Sequence, residues 1–90
     1  MTTTEHGQRS GNQVWLISGC STGIGREIAI AALNAGDRVA LTARRPESVT
    51  DLVERYGDRA IALALDVTDE DEIALAVNQT IERFGQIDVL

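Results

Sequence analysis

Short apolar runs alternate with helical patterns along most of this chain. Each run is bounded by glycine or polar residues, as is typical of a buried strand, and the runs predict strands at 14–18, 38–42, 60–65 and 87–90. Longer stretches between the runs predict three helices, bounded by Ile24 and Gly36, Pro46 and Gly57, and Thr68 and Gly85. The order β-α-β-α-β-α-β with short connections predicts an α/β fold with one parallel sheet and right-handed crossovers.

Residues at the helix ends and on the helix faces support these assignments. Pro46 suits the first position of a helix, where its missing N–H would be unpaired in any case, and Thr68 is a good N-cap. The acidic run 69–72 follows Thr68, where the helix dipole favours negative charge. Apolar faces are predicted for the first helix at Ile24, Ile28, Ala31, Ala32 and Ala35, and for the third at Ile73, Val77, Thr80, Ile81 and Phe84.

The composition is that of one globular domain with an aliphatic core. Apolar residues make up 43% of the 90 residues, and the three aromatic residues are Trp15, Tyr56 and Phe84. The net charge of −6 argues against a nucleic-acid or anionic-membrane partner. A single cysteine, Cys20, excludes an internal disulfide and favours a cytoplasmic location. No apolar run reaches the ~18 residues of a membrane span, and we interpret residues 1–13 as a flexible tail.

The segment between the first predicted strand and the first helix is rich in glycine. Gly19, Gly23 and Gly25 have the spacing G-x-x-x-G-x-G directly after an apolar run. Gly19 allows a sharp turn, while Gly23 and Gly25 remove side chains where a phosphate and the helix must approach. The helix start then directs unpaired N–H groups at the anion. We predict a dinucleotide pyrophosphate site at Gly19, Ser21, Gly23, Ile24 and Gly25, the alternative being a glycine-rich turn without a ligand.

The end of the second predicted strand bears on which dinucleotide fits. An acidic residue near this point binds the adenosine ribose in many dinucleotide sites, but Ala43 stands there, followed by Arg44 and Arg45. A carboxylate repels a 2′-phosphate, whereas a guanidinium binds one bidentately. The residues therefore favour NADP over NAD, with Arg44 ahead of Arg45. The alternative is a pair of solvated surface arginines beside Pro46.

Other polar residues give weaker or negative signals. Asp66 and Val67 follow the third strand at the carboxyl edge of the sheet, where Asp66 either accepts a bond from the adenine amino group or caps a loop. The acidic run 69–72 complements the helix dipole, and no Cys/His set has metal-ligand spacing, so we predict no metal site. No lysine follows the glycines as it does in a phosphate-binding loop of ATPases.

Together these motifs resemble the short-chain dehydrogenase/reductase family over residues 14–90. The segment 18–25 resembles its T-G-x-x-x-G-I-G motif, with Ser18 replacing the threonine. The pair Asp66-Val67 resembles its D-V pair, the ending 85–90 resembles G-x-I-D-x-L, and 42–45 is similar to NADP-preferring members. The resemblance implies a Rossmann-like, doubly wound parallel sheet cut off after the fourth strand. It also implies that Asp66 contacts the adenine and that Val67 makes a backbone contact.

The resemblance implies that residues 14–90 are the N-terminal, cofactor-binding half of such a domain. The family's N-N-A-G motif, catalytic serine and Y-x-x-x-K pair lie beyond Leu90, and Tyr56 lacks a lysine four residues on. We therefore expect no catalytic residue in this chain and no activity from it alone. The complete oxidoreductase is expected to be a homo-oligomer that transfers hydride between NADP(H) and an alcohol or carbonyl substrate.

Two other classes of function fit parts of the pattern. An uncovered sheet edge at the fourth strand and an apolar helix face would suit a non-catalytic nucleotide-binding or interaction module. A methyltransferase using S-adenosylmethionine also has a Rossmann-like fold, but it usually has an acidic residue after the second strand. Ala43 and Arg44 argue against that class.

Overall fold

The computed structural model describes residues 13–90 and contains one parallel sheet. The predicted tail, apart from Gln13, lies outside the described residues. The strands are β1 (Val14–Ile17), β2 (Arg38–Ala43) and β3 (Ala60–Ala64), arranged in the order β1-β2-β3. Ile17 pairs with Leu41, which pairs in turn with Ala62. The predicted α/β fold with a parallel sheet is confirmed.

Three helices connect the strands and follow β3. They are α1 (Gly23–Asn34), α2 (Thr50–Tyr56) and α3 (Glu70–Phe84). The sequence predicted that α2 starts at Pro46, but residues Pro46–Val49 form a 3₁₀ turn that leads into it. Gly57 and Gly85, with φ of 64° and 88°, end α2 and α3 as predicted, because glycine adopts positive φ without steric strain.

Helices cover both faces of the sheet. Side chains alternate along a strand, so Val39 and Leu41 of β2 point to one face, and Ala40 and Thr42 point to the other. The first face carries the core cluster formed with α1 and α2: Cys20, Ala29, Ala32, Leu33, Val39, Leu41, Val49, Leu52 and Ala60. The buried residues of α3 are Ala76, Thr80 and Phe84, none of which belongs to that cluster. Helix α3 therefore packs on the second face, as in a doubly wound fold.

Of the predicted apolar face of α1, Ala32 is buried, but the two isoleucines are not. Ile24 is 79% exposed and Ile28 is 40% exposed, whereas Ala29, Ala32 and Leu33 are buried. Small residues on the sheet side let α1 lie close to β1 and β2, and this rotates the larger isoleucines toward the open edge of β1. Of the predicted α3 face, Thr80 and Phe84 are buried, but Ile73 and Ile81 are 39% and 45% exposed.

The N-cap of α3 is Asp69, and the prediction of Thr68 was wrong. The Asp69 side chain accepts hydrogen bonds from the backbone N–H groups of Asp71 (2.9 Å) and Glu72 (3.3 Å). Thr68 instead turns back and bonds Asp66. The Asp69 carboxylate bonds two amides of the first turn at once and also complements the helix dipole, which stabilises it at the cap of α3.

The predicted fourth strand is reduced to a single bridge. Val89 pairs in parallel with Trp15, on the side of β1 away from β2. A strand needs several successive bridges, and among the described residues only this one forms here. The carboxylate of Asp88 accepts a hydrogen bond from the N–H of Val14 (2.8 Å). The backbone N–H of Asp88 in turn donates to the carbonyl of Val14 (2.8 Å). The chain thus reverses its direction of winding at β1, and a crevice opens there at the carboxyl ends of the strands.

Candidate functional site

The carboxyl ends of the strands bring most of the predicted site residues together. A cavity of about 390 Å³ lies at this edge. Its lining includes five predicted residues, namely Gly19, Ser21, Arg44, Arg45 and Val67, together with Ala43, Ser48 and Leu65. Gly19 and Ser21 of the glycine segment thus share one cavity with the two arginines, although 23 or more positions separate them in the chain; Gly23, Ile24 and Gly25 do not line it.

The three glycines of the loop have two different roles. Gly19 and Gly23 have φ of 67° and 69°, and a Cβ built on either would meet nothing within 4 Å. A Cβ on Gly25 would lie 2.4 Å from the carbonyl oxygen of Gly19 and 2.9 Å from that of Ser18. Gly25 therefore lets α1 pack directly against the loop, while the surface at Gly19 and Gly23 stays open. These residues fit a dinucleotide phosphate group.

The start of α1 presents backbone donors to this loop. Thr22 occupies the N-cap position, and its side chain makes no capping hydrogen bond. Ile24, a predicted phosphate-binding residue, points its side chain into a neighbouring apolar groove of about 560 Å³ that also includes Gly25. Ile24 can therefore contribute to a phosphate site only through its backbone N–H, as expected at a helix N-terminus.

The arginines around the site differ in their partners. Arg26 in α1 forms an ion pair with Asp51 of α2. Arg44 and Arg45 are exposed at the cavity, and Ala43 before them is buried, 4% exposed, so no carboxylate stands at the end of β2. The cavity therefore has a positive side wall formed by Arg44 and Arg45.

Ser48 also lines the cavity, and sequence reasoning missed it. Ser48 lies in the 3₁₀ turn, and both its N–H (2.9 Å) and its hydroxyl (2.7 Å) donate to the carbonyl of Arg45. Serine is common in the first turn of a helix, so nothing in the sequence marks this position separately.

Asp66 does not itself line the cavity, but its neighbours in the chain, Leu65 and Val67, do. Its Oδ1 atom accepts from the hydroxyl (2.6 Å) and the N–H (3.0 Å) of Thr68, and its own N–H donates to Glu72 (2.7 Å). These bonds from Thr68, with a further contribution from the charge of Arg44, hold the pKa of the Asp66 carboxyl below its ordinary value. Asp66 is thus ionised at neutral pH and can accept a further hydrogen bond.

Replacing Thr68 with valine should raise the pKa of Asp66, because the hydroxyl is its strongest hydrogen-bond donor. Because the pKa of Asp66 is lower in the folded than in the unfolded chain, this pair stabilises the fold at pH values above the unfolded pKa. The stabilisation disappears as the pH falls through the folded pKa. The carboxyl carbon of Asp66, followed by NMR during an acid titration, measures the shift. Thr50→Val, on an exposed position of α2, is the matched control and should leave that pKa unchanged.

Cys20, next to Gly19, is buried and acts as a structural residue. Its Sγ atom donates to the carbonyl of Ile17 (3.2 Å), and burial raises the pKa of the thiol. The thiol therefore stays protonated at neutral pH, which makes it a poor nucleophile. Within residues 13–90, no three acidic, histidine or cysteine side chains are grouped as metal ligands.

Comparison with known proteins identifies the family. The family model described as short chain dehydrogenase matches residues 13–90. A curated oxidoreductase of Botryotinia fuckeliana is 49% identical over 79 residues, a match that covers 87% of this chain and 29% of that protein. The chain belongs to the short-chain dehydrogenase/reductase family, and it spans less than a third of the length of this relative.

Solved structures agree with this assignment. A short-chain dehydrogenase from Streptomyces avermitilis superposes with a TM-score of 0.82 at 48% identity, over 87% of this chain and 29% of that one. A 3-ketoacyl-(acyl-carrier-protein) reductase from Brucella melitensis, solved with NADH, has a TM-score of 0.79 at 28% identity, over 86% and 32% of the two chains. The C-domain of a bacterial malonyl-CoA reductase, solved with NADP, has a TM-score of 0.79 at 31% identity, over 86% of this chain and 14% of that one.

In the described part of the chain, no helix has the length and apolar character needed to span a membrane.

Proposed function

We propose that this chain is the cofactor-binding part of an NADP-preferring short-chain oxidoreductase. The observation that carries the proposal is the cavity in which Arg44 and Arg45 face the glycine loop, with alanine at position 43. A 2′-phosphate would meet two guanidinium groups there, whereas the carboxylate that favours NAD is absent from the end of β2. Similar proteins have been solved with NADH and with NADP, so the preference for NADP rests on Ala43, Arg44 and Arg45 of this chain.

The proposed binding mode assigns one part of the cofactor to each strand end. Gly19, Ser21, Gly23, the backbone of Ile24 and Gly25 would hold the pyrophosphate, and Arg44 with Arg45 would hold the 2′-phosphate. Asp66 and the backbone of Val67 would contact the adenine, since Asp66 is an ionised acceptor next to residues that line the cavity. The bound dinucleotide supplies the hydride chemistry on an alcohol or carbonyl substrate.

The 90-residue chain by itself is proposed to lack turnover. The 90 residues include no lysine, so they hold no Y-x-x-x-K pair of the kind that the family resemblance implies. Steady oxidation of NADPH by the purified 90-residue chain with carbonyl substrates would refute the proposed lack of activity.

The single cysteine and the net charge of −6 support a cytoplasmic protein without a nucleic-acid partner.

Calorimetric titration of the purified chain with NADPH and with NADH tests the proposed cofactor. The expected result is that NADPH binds more tightly than NADH, because only NADPH carries the 2′-phosphate. Equal affinities, or tighter binding of NADH, would contradict the NADP preference. Absence of binding by both dinucleotides would contradict the proposed site as a whole.

The apolar groove beside β1 supports a second candidate, a module that pairs with another chain. Ile24, Ile28 and Ile73 line the groove, and all three side chains are exposed. We expect the purified chain to self-associate, since exposed apolar surface of this kind is usually covered in an assembly. Light scattering after gel filtration measures the mass, and Ile28→Glu is expected to shift the population toward monomer. A monomeric wild-type chain that melts cooperatively would contradict self-association.

A further inference from the structure

Thr42 is a fully buried polar residue near the carboxyl end of β2. Its exposed fraction is 0%, and its neighbours in the strand, Leu41 and Ala43, are apolar. A hydroxyl transferred from water to such a position is unfavourable unless it finds a hydrogen-bond partner. The bonds that Thr42 makes therefore indicate what the residue stabilises.

Thr42 holds the first turn of the glycine loop at both of its ends. Its Oγ1 atom donates to the carbonyl of Ile17 (2.7 Å), and its carbonyl accepts from the N–H of Cys20 (2.9 Å). Between these two anchors lie Ser18 and Gly19, whose carbonyl oxygens are the atoms against which Gly25 packs. The turn is therefore fixed between β2 on one side and α1 on the other.

The same residue also links the loop to the arginines. Thr42 precedes Arg44 by two positions, and the intervening Ala43 is held by a bond from the N–H of Leu65 (2.9 Å) to its carbonyl. The distance across the cavity between Gly19 and Arg44 is thus set where the loop meets β2.

We propose that Thr42 is a positioning residue, which holds the glycine loop in the shape that binds the pyrophosphate of the dinucleotide. The inference rests on the proposed cofactor-binding function. Thr42 does not line the cavity, so its effect passes through the loop. Because both dinucleotides contain the pyrophosphate, loss of the hydroxyl should weaken NADPH and NADH by the same factor.

Thr42→Val tests this role, because valine keeps the shape of the side chain and suits a strand but cannot donate to Ile17. The expected result is an increase in Kd of about fivefold for NADPH and for NADH, as for the loss of one neutral hydrogen bond. Thr42→Ser, which keeps the hydroxyl, should bind both within about twofold of the wild type. Hydrogen exchange of the Cys20 amide should accelerate in Thr42→Val.

Thr80→Val is the matched control. Thr80 is also fully buried, and its hydroxyl donates to the Ala76 carbonyl (2.7 Å). Both residues belong to α3, so this hydrogen bond does not hold the glycine loop. We expect unchanged Kd values for this variant. If Thr42→Val binds as Thr80→Val does, or if serine fails to restore binding, the positioning role is overturned while the cofactor site stands. If the wild type binds neither dinucleotide, the proposed function is overturned and this inference with it.

Discussion

Gly25→Ala is expected to weaken dinucleotide binding by on the order of 100-fold, as for the loss of one or two hydrogen bonds to a charged phosphate at about 1.5–3 kcal/mol each. The new Cβ would lie 2.4 Å from one backbone oxygen and 2.9 Å from another, so either the loop or α1 must move. Neither oxygen belongs to a flexible side chain, and Thr42 holds the loop from the other side. Relief of the overlap would therefore displace the N–H groups proposed to bind the phosphates.

Two measurements separate this effect from a general loss of structure. Gly57→Ala is the matched control, because Gly57 has φ of 64° but a Cβ there meets nothing within 4 Å. That variant should lose about 1–3 kcal/mol of unfolding free energy, because φ of 64° with ψ of −130° is a strained conformation for alanine, and it should bind NADPH as the wild type does. Far-UV circular dichroism should show a folded Gly25→Ala chain. Binding by Gly25→Ala within about threefold of the wild type would show that the close contact does not shape the site.

Arg44→Ala is expected to raise the Kd of NADPH by on the order of tenfold and to leave that of NADH within about twofold. A hydrogen bond to a charged group contributes about 1.5–3 kcal/mol, and the exposure of Arg44 places it at the lower end. Because the charge of Arg44 contributes to the low pKa of Asp66, the variant should also raise that pKa. The pKa change reports the loss of the charge without any cofactor.

The controls for Arg44→Ala are two other exposed arginines. Arg45→Ala should weaken NADPH less, since Arg44 is the residue directly after β2. Arg55→Ala removes an equal charge from the last turn of α2, at the opposite end of that helix from the cavity, where Arg55 stacks on Tyr56. It should change neither Kd. A parallel loss of NADPH and NADH affinity in Arg44→Ala would indicate that the residue does not read the 2′-phosphate.

The positions of the strands and of the glycine loop along the chain were predictable because they depend on local signals. Each strand is a short apolar run, and Gly19, Gly23 and Gly25 stand at positions where a turn and a close approach require glycine. The faces of α1 were not predictable in this way. A helix composed largely of alanine and isoleucine is apolar on several sides, and only the packing on the sheet selects Ala29 and Leu33 over Ile24 and Ile28.

The site residues that sequence reasoning missed depend on tertiary contacts. Ser48 and Thr42 are ordinary residues of a helical turn and a strand until the fold brings them to the cavity edge and the loop. Asp69 took the cap from its neighbour Thr68, a choice between two adjacent cap formers that residue preferences leave nearly even. The sequence therefore predicts which strand ends form the site, and the structure adds the residues that hold it in shape.

The two hydrogen bonds between Val14 and Asp88 hold the first and last segments of the described chain close together. Its first and last strand segments lie side by side, so a short linker could join residue 90 to residue 13 without disturbing the sheet. New ends could then be opened at the exposed residues 57 and 58, beyond α2 and away from the cavity. Such a rearranged chain would keep the glycine loop, β2 and the arginines in one uninterrupted segment, so dinucleotide binding should survive the change in connectivity.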